Sequence, residues 1–116
     1  MDERLEKALD FSNYMLTLSN QKRLLAEKYQ QDLIHFYSGS QFTITRELIT
    51  FVNAMVDADQ DEVVIIDDNS IPCMVKDISD FHIEILSKYA TASNDYYTEY
   101  ASLKTNRSVE KLVEHE

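Results

Sequence analysis

The sequence predicts a mainly α fold with a small β-hairpin or sheet, an α+β class. Two long antiparallel coiled-coil-like helices flank a short helix and a two- or three-stranded sheet. Three observations lead there. The 116 residues include one glycine, Gly39, and one proline, Pro72, too few breakers for a turn-rich sandwich or barrel. Long stretches at both ends place apolar residues at alternating three- and four-residue steps, the spacing of a helix seam. Between them lie short β-branched runs bounded by Asp and Asn, which read as strands and turns. With 44% apolar and 10% aromatic residues, the chain holds enough core for one domain over 1–116 despite its 28% charged residues.

The first long helix is expected over 1–37. From Asp2 to Tyr37 there is neither glycine nor proline, and Ala8, Phe11, Met15, Leu18, Leu25, Tyr29 and Phe36 keep the seam, with Lys22 and Asp32 interrupting it. Leu5, Leu9, Leu16, Leu24 and Leu33 lie outside the seam and widen the apolar surface. Such a helix would be about 50 Å long, and Ser38, Gly39 and Ser40 would end it, Gly39 taking the left-handed cap conformation.

A small α/β middle follows over 41–76. Gln41–Ile44 alternates polar and apolar and reads as a strand. Thr45 can cap a helix over 46–58 that buries Leu48, Ile49, Val52, Met55 and Val56. Glu62–Ile66 and Ile71–Val75, separated by Asp67, Asp68, Asn69 and Ser70, predict a hairpin over 62–75. Pro72 puts its second strand at an edge, and so small a sheet must pack on a helix. Asp77 and Asp80 form a capping-box start for the second long helix, 77–105. Its seam is Ile78, His82, Ile85, Tyr89, Ala92, Tyr96 and Leu103, with Glu99 the polar interruption. Residues 106–116 read as a short helix or a frayed tail.

Charge narrows the possible partners. The chain has 21 acidic and 11 basic residues, a formal charge of −10, a field that repels phosphate backbones and argues against direct nucleic-acid binding. Residues 1–37 are nearly neutral, whereas 57–68 carry six acids and no base. Asp57, Asp59, Asp61, Glu62, Asp67 and Asp68 are therefore a candidate patch for a basic protein partner, with simple solvation of a loop as the competing account. No apolar run approaches the length of a membrane span, and the charged N-terminus does not read as a leader. A cytoplasmic protein without membrane contact is expected.

No residue pattern predicts catalysis, and the chain is expected not to be an enzyme. Asp57, Asp59, Asp61 and Asp68 fall at positions 1, 3, 5 and 12 of a calcium loop, but Glu62 stands where the turn needs glycine and Asp68 where a bidentate glutamate is needed. His35, His82 and His115 are far apart in sequence, and Cys73, alone in an apolar stretch, is expected to be a buried thiol. No metal or cofactor is expected. The seven tyrosines are more telling, because tyrosine gives an interface large area while its hydroxyl stays wet. Tyr89, Tyr96 and Tyr100, with Leu5, Leu9, Leu16, Leu24 and Leu33, are the candidate oligomer interface.

Two resemblances accompany this reading. Long helices around the hairpin EVVII–IPCMV resemble a beta-type prefoldin subunit, with the helix Leu48–Val56 added; the likeness implies a holdase chaperone. The segments FSNYMLTLSNQK, ELITFV, VVIIDDNSIP and NDYYTEYASLK are similar to small acidic proteins of large tailed, marine-type bacteriophages. That likeness implies a phage origin, hence the host cytoplasm, and carries no catalytic residues. The function expected is a non-enzymatic, homo-oligomeric protein–protein interaction or assembly protein. The alternatives are a prefoldin-like holdase and an acidic regulator of a basic host protein.

Overall fold

A computed structural model describes residues 2–114. Its elements are α1 (Glu3–Asp32), β1 (Ile34–Tyr37), β2 (Ser40–Thr43), α2 (Arg46–Asp57), β3 (Val63–Ile66), β4 (Pro72–Val75) and α3 (Ile78–Glu114). The fold is α+β and mainly helical, with a long first helix, a long third helix and two antiparallel two-stranded sheets.

The first helix is shorter than the 1–37 predicted from the sequence, ending at Asp32. Ile34–Tyr37 instead pairs with Ser40–Thr43 as a hairpin, in the register Ile34 with Thr43 and Tyr37 with Ser40. Ile-His-Phe-Tyr is a run of β-branched and aromatic residues, which favours a strand. The two-residue loop Ser38–Gly39 has φ of 48° and 80°, the doubly positive pattern of a type I′ hairpin turn. Gly39 is thus left-handed, but in a hairpin and not at a helix end. The second sheet pairs Val63 with Val75 through Ile66 with Pro72. At the other end of the chain, α3 continues beyond 105 to Glu114 as one helix; residues 115 and 116 of the predicted tail lie outside the described residues.

The chain divides into two compact units, one of residues 30–94 and one of residues up to 29 with those from 95 onward. The 30–94 unit holds every fully buried apolar side chain among the described residues: Leu33, Phe42, Ile44, Val52, Ile65, Cys73, Val75, Ile78, Phe81, Ile85 and Ala92. Phe81 is its hub, meeting Phe42, His35 and Tyr37 edge-on at centroid distances of 5.5, 5.4 and 5.8 Å. Caps fix the helices. The Thr45 hydroxyl accepts the Leu48 N–H at 3.0 Å, and the Asp77 carboxylate accepts the Asp80 N–H at 3.0 Å, each satisfying a donor that the helix itself cannot.

In the other unit, α1 and α3 meet in the antiparallel sense. Tyr29 packs on Tyr96 with centroids 4.8 Å apart, Lys28 pairs with Glu99 at 3.0 Å, and the Lys22 ammonium lies 5.7 Å from the Tyr100 ring centroid. The polar interruptions Lys22 and Glu99 therefore have partners at the seam. None of the 30 residues of α1 is fully buried.

Candidate interaction surfaces

The helix seam leaves a second apolar face on α1. Leu18, Leu25 and Tyr29 are half-buried on the side where Tyr29 and Lys28 meet α3. At 100° per residue, Leu5, Leu9 and Leu16 fall within about 40° of one another and about 160° round the helix from that seam. They are 50, 46 and 62% exposed, too much for residues with a partner helix. Leu24 is also exposed and lines a shallow groove of about 350 Å³ with Gln21, Leu25, Glu99, Ser102 and Leu103.

Leu33, the fifth leucine of the predicted oligomer interface, belongs elsewhere. It is buried in the core of the 30–94 unit, where its carbonyl accepts the Ile44 N–H at 2.8 Å. Extra helix was expected there, and the turn into β1 carries it inward instead. The tyrosines are used at least partly within the chain: Tyr96 contacts both Tyr29 and Tyr100, and Tyr89 is half-buried.

The predicted acidic patch separates into two groups. Asp57, Asp59, Asp61 and Glu62 are exposed. Asp67 is buried, and its Oδ1 accepts the N–H groups of Asn69 and Ile71, both at 2.9 Å, which shapes the β3–β4 turn. Asp68 accepts the Thr43 N–H at 3.0 Å, the Thr43 hydroxyl at 2.7 Å and the Gln41 side-chain amide at 3.2 Å. Desolvation pushes the Asp68 carboxyl up, but these three hydrogen bonds outweigh it and hold the carboxyl below its usual range. Asp67 is thus buried in the fold, a correction to the patch read from charge alone, whereas Asp68 stays exposed while it also ties the turn to β2.

Sequence reasoning missed a different surface. The β3–β4 hairpin buries Ile65, Cys73 and Val75 on its inner face, yet its outer face is also apolar: Val64, Ile66 and Met74 are 49, 59 and 48% exposed. The signal was present in Val63–Ile66, an unbroken apolar run without the alternation of a strand wetted on one face.

Burial, and next the nearby Lys88 ammonium, push His35 below its ordinary value, and Glu84 only partly opposes them. Its Nε2 lies 3.4 Å from a Glu84 oxygen but has no hydrogen-bond partner among the described residues. Cys73 is a free, buried thiol. Among the described residues, no group of three or more His, Cys, Asp or Glu side chains is placed to hold a metal ion. Nor is any helix among them long and apolar enough to cross a membrane. No protein-family model, curated protein or solved structure matches the chain.

Proposed function

We propose that this protein is a non-enzymatic, self-assembling interaction protein whose copies pack through the outer face of α1. One observation carries the reading: a 30-residue helix with no fully buried residue presents Leu5, Leu9 and Leu16 on the side away from its seam. Their spacing of four and seven residues is that of helix-to-helix packing, and a second copy of the same stripe is its self-complementary partner. A phage origin, which the segments similar to small acidic phage proteins imply, would give such an oligomer a viral setting without specifying its role. The buried polar groups Asp67 and His35 support a non-enzymatic role, because one shapes a turn and the other packs against the core ring of Phe81.

The test is the solution mass by light scattering, for the parent and for a chain carrying both Leu9→Glu and Leu16→Glu. A defined oligomer is expected for the parent and the monomer mass for the variant, since each new carboxylate would be desolvated at the contact. A monomeric parent, or an assembly that survives both glutamates, removes the reading.

A further inference from the structure

The two hairpins of the 30–94 unit differ in what meets their edges. In antiparallel pairing, bonded and non-bonded residue pairs alternate. The Ile44 N–H to Leu33 carbonyl bond fixes that alternation for β1–β2, so Gln41 and Thr43 direct their backbone groups off the far edge of β2. Asp68 fills that edge: its N–H donates to the Gln41 carbonyl at 2.9 Å while its carboxylate accepts the Thr43 N–H. On the far edge of β1, the Ile34 carbonyl accepts the Lys88 ammonium at 3.2 Å. In the second hairpin, the Asp67 N–H to Ile71 carbonyl bond at 2.9 Å makes Ile65–Cys73 and Val63–Val75 the bonded pairs. Val64 and Ile66 therefore direct their N–H and C=O groups off the far edge of β3, and Pro72 and Met74 theirs off β4. Pro72 brings no N–H, which blunts the β4 edge. Among the described residues, no hydrogen bond from outside the hairpin reaches Val64 or Ile66. An open edge thus adjoins an uncovered apolar face made by the same two residues with Met74.

Charge decides what fits. Residues 30–94 carry eleven acidic and three basic residues. Asp61 and Glu62 precede the β3 edge, and Asp68 follows it. A second copy adding antiparallel about Ile65 would set Glu62 against the other copy's Asp68, and acids directly opposite are repulsive. We infer that the β3 edge receives an extended segment of a partner protein, apolar at its centre and flanked by Lys or Arg. The segment pairs its backbone with Val64 and Ile66 and lays apolar side chains beside Val64, Ile66 and Met74. Its cations face Asp61, Glu62 and neighbouring acids. This inference does not depend on self-assembly through α1, which uses other residues.

The probe is a labelled peptide Lys-Lys-Val-Thr-Val-Thr-Val-Lys-Lys, followed by fluorescence anisotropy at low salt and by amide hydrogen exchange. Binding is expected to slow exchange of the Val64 and Ile66 amides at least about tenfold, because they become ladder donors. Replacing the central valine of the peptide by proline, or its lysines by glutamates, is expected to weaken binding at least about tenfold, since the first removes a strand donor and the second the charge match. Val64→Lys and, separately, Ile66→Lys should weaken it similarly; both side chains are exposed, so either variant that keeps the parent's circular dichroism serves. Equal binding of the proline peptide would reduce the effect to charge, and equal binding of the glutamate peptide would reduce it to apolar contact. Either overturns the inference, as does failure of the lysine-flanked peptide to bind. So does protection of Val64 and Ile66 that rises with protein concentration in the absence of peptide, which would assign the edge to a second copy.

Discussion

Asp68 completes a strand to which it does not belong, holding the Thr43 N–H at 3.0 Å and the Thr43 hydroxyl at 2.7 Å. Twenty-five residues separate the two, so the contact ties the β3–β4 turn to the edge of β2. Asp68→Ala should cost about 1–2 kcal/mol at neutral pH, because a backbone donor and a hydroxyl lose a charged acceptor in a water-accessible place. The pH dependence has a definite sign. A carboxyl held below its unfolded value of about 3.9 adds stability above that pH and loses it as pH falls through the folded value. Thermal melts of the parent and Asp68→Asn should differ at pH 7, and the gap should begin to narrow below about pH 4 and close only once the pH falls beneath the folded value. A gap that persists there would assign the effect to shape and not to charge.

His35 carries the opposite kind of group with the same direction of dependence. Burial and Lys88 lower its folded value beneath the unfolded one of about 6.5, so the unfolded chain binds the proton first. Stability is therefore complete above about pH 6.5 and declines as pH falls from there towards the folded value. His35→Phe keeps a ring against Phe81 and removes the unpartnered Nε2. It should melt within about 1 kcal/mol of the parent at pH 7.5 and flatten the decline between pH 6.5 and 5. A parent whose melting temperature is the same at both pH values would refute this.

Much of this architecture is legible in the residues. Asp77 and Thr45 cap the helices they were expected to cap, and the half-buried or buried positions Ile78, His82, Ile85, Tyr89, Ala92, Tyr96 and Leu103 follow the seam read from α3. What the sequence concealed depends on contacts between distant segments. Ile34–Tyr37 continues a helical pattern until Ser38 and Gly39 turn the chain back, and the strand exists only because Ser40–Thr43 lies beside it. Asp67 and Asp68 look like the rest of an acidic run, and only the neighbouring turn and strand distinguish ligands of the backbone from solvated charge. The outer face of Val64 and Ile66 was visible as a missing alternation, but a short apolar run alone does not say which face is covered.

At the helix seam, ring packing should matter more than the ion pair. Lys28 and Glu99 keep side-chain exposures of 49% and 40%, so water screens them and Lys28→Ala should cost less than about 1 kcal/mol. Tyr29→Ala removes a half-buried ring 4.8 Å from Tyr96 and should cost about 1–2 kcal/mol or more from lost area and ring contact. Thermal denaturation of both variants gives the ranking. A larger loss for Lys28→Ala would show that the seam is held by charge.

The end of α2 runs against local preference. Asp59 has φ of 59°, its N–H donates to the Val56 carbonyl at 3.0 Å, and the Gln60 N–H donates to the Met55 carbonyl at 3.1 Å. These are the two bonds of a Schellman motif, in which the left-handed position favours glycine. The same residue brings a carboxylate to the negative end of a helix whose last turn has no basic residue, where a cation is preferred. Asp59→Gly relieves both costs and should raise stability by about 0.5–1.5 kcal/mol. Ser70, with φ of 63° in the β3–β4 turn, carries only the backbone cost, so Ser70→Gly should gain about 0.5–1 kcal/mol. Comparing the two gains in low and high salt separates the contributions. The Asp59→Gly gain should shrink in high salt, where the helix dipole is screened, and the Ser70→Gly gain should not. If neither substitution stabilises the protein, the positive φ values are not where the strain lies.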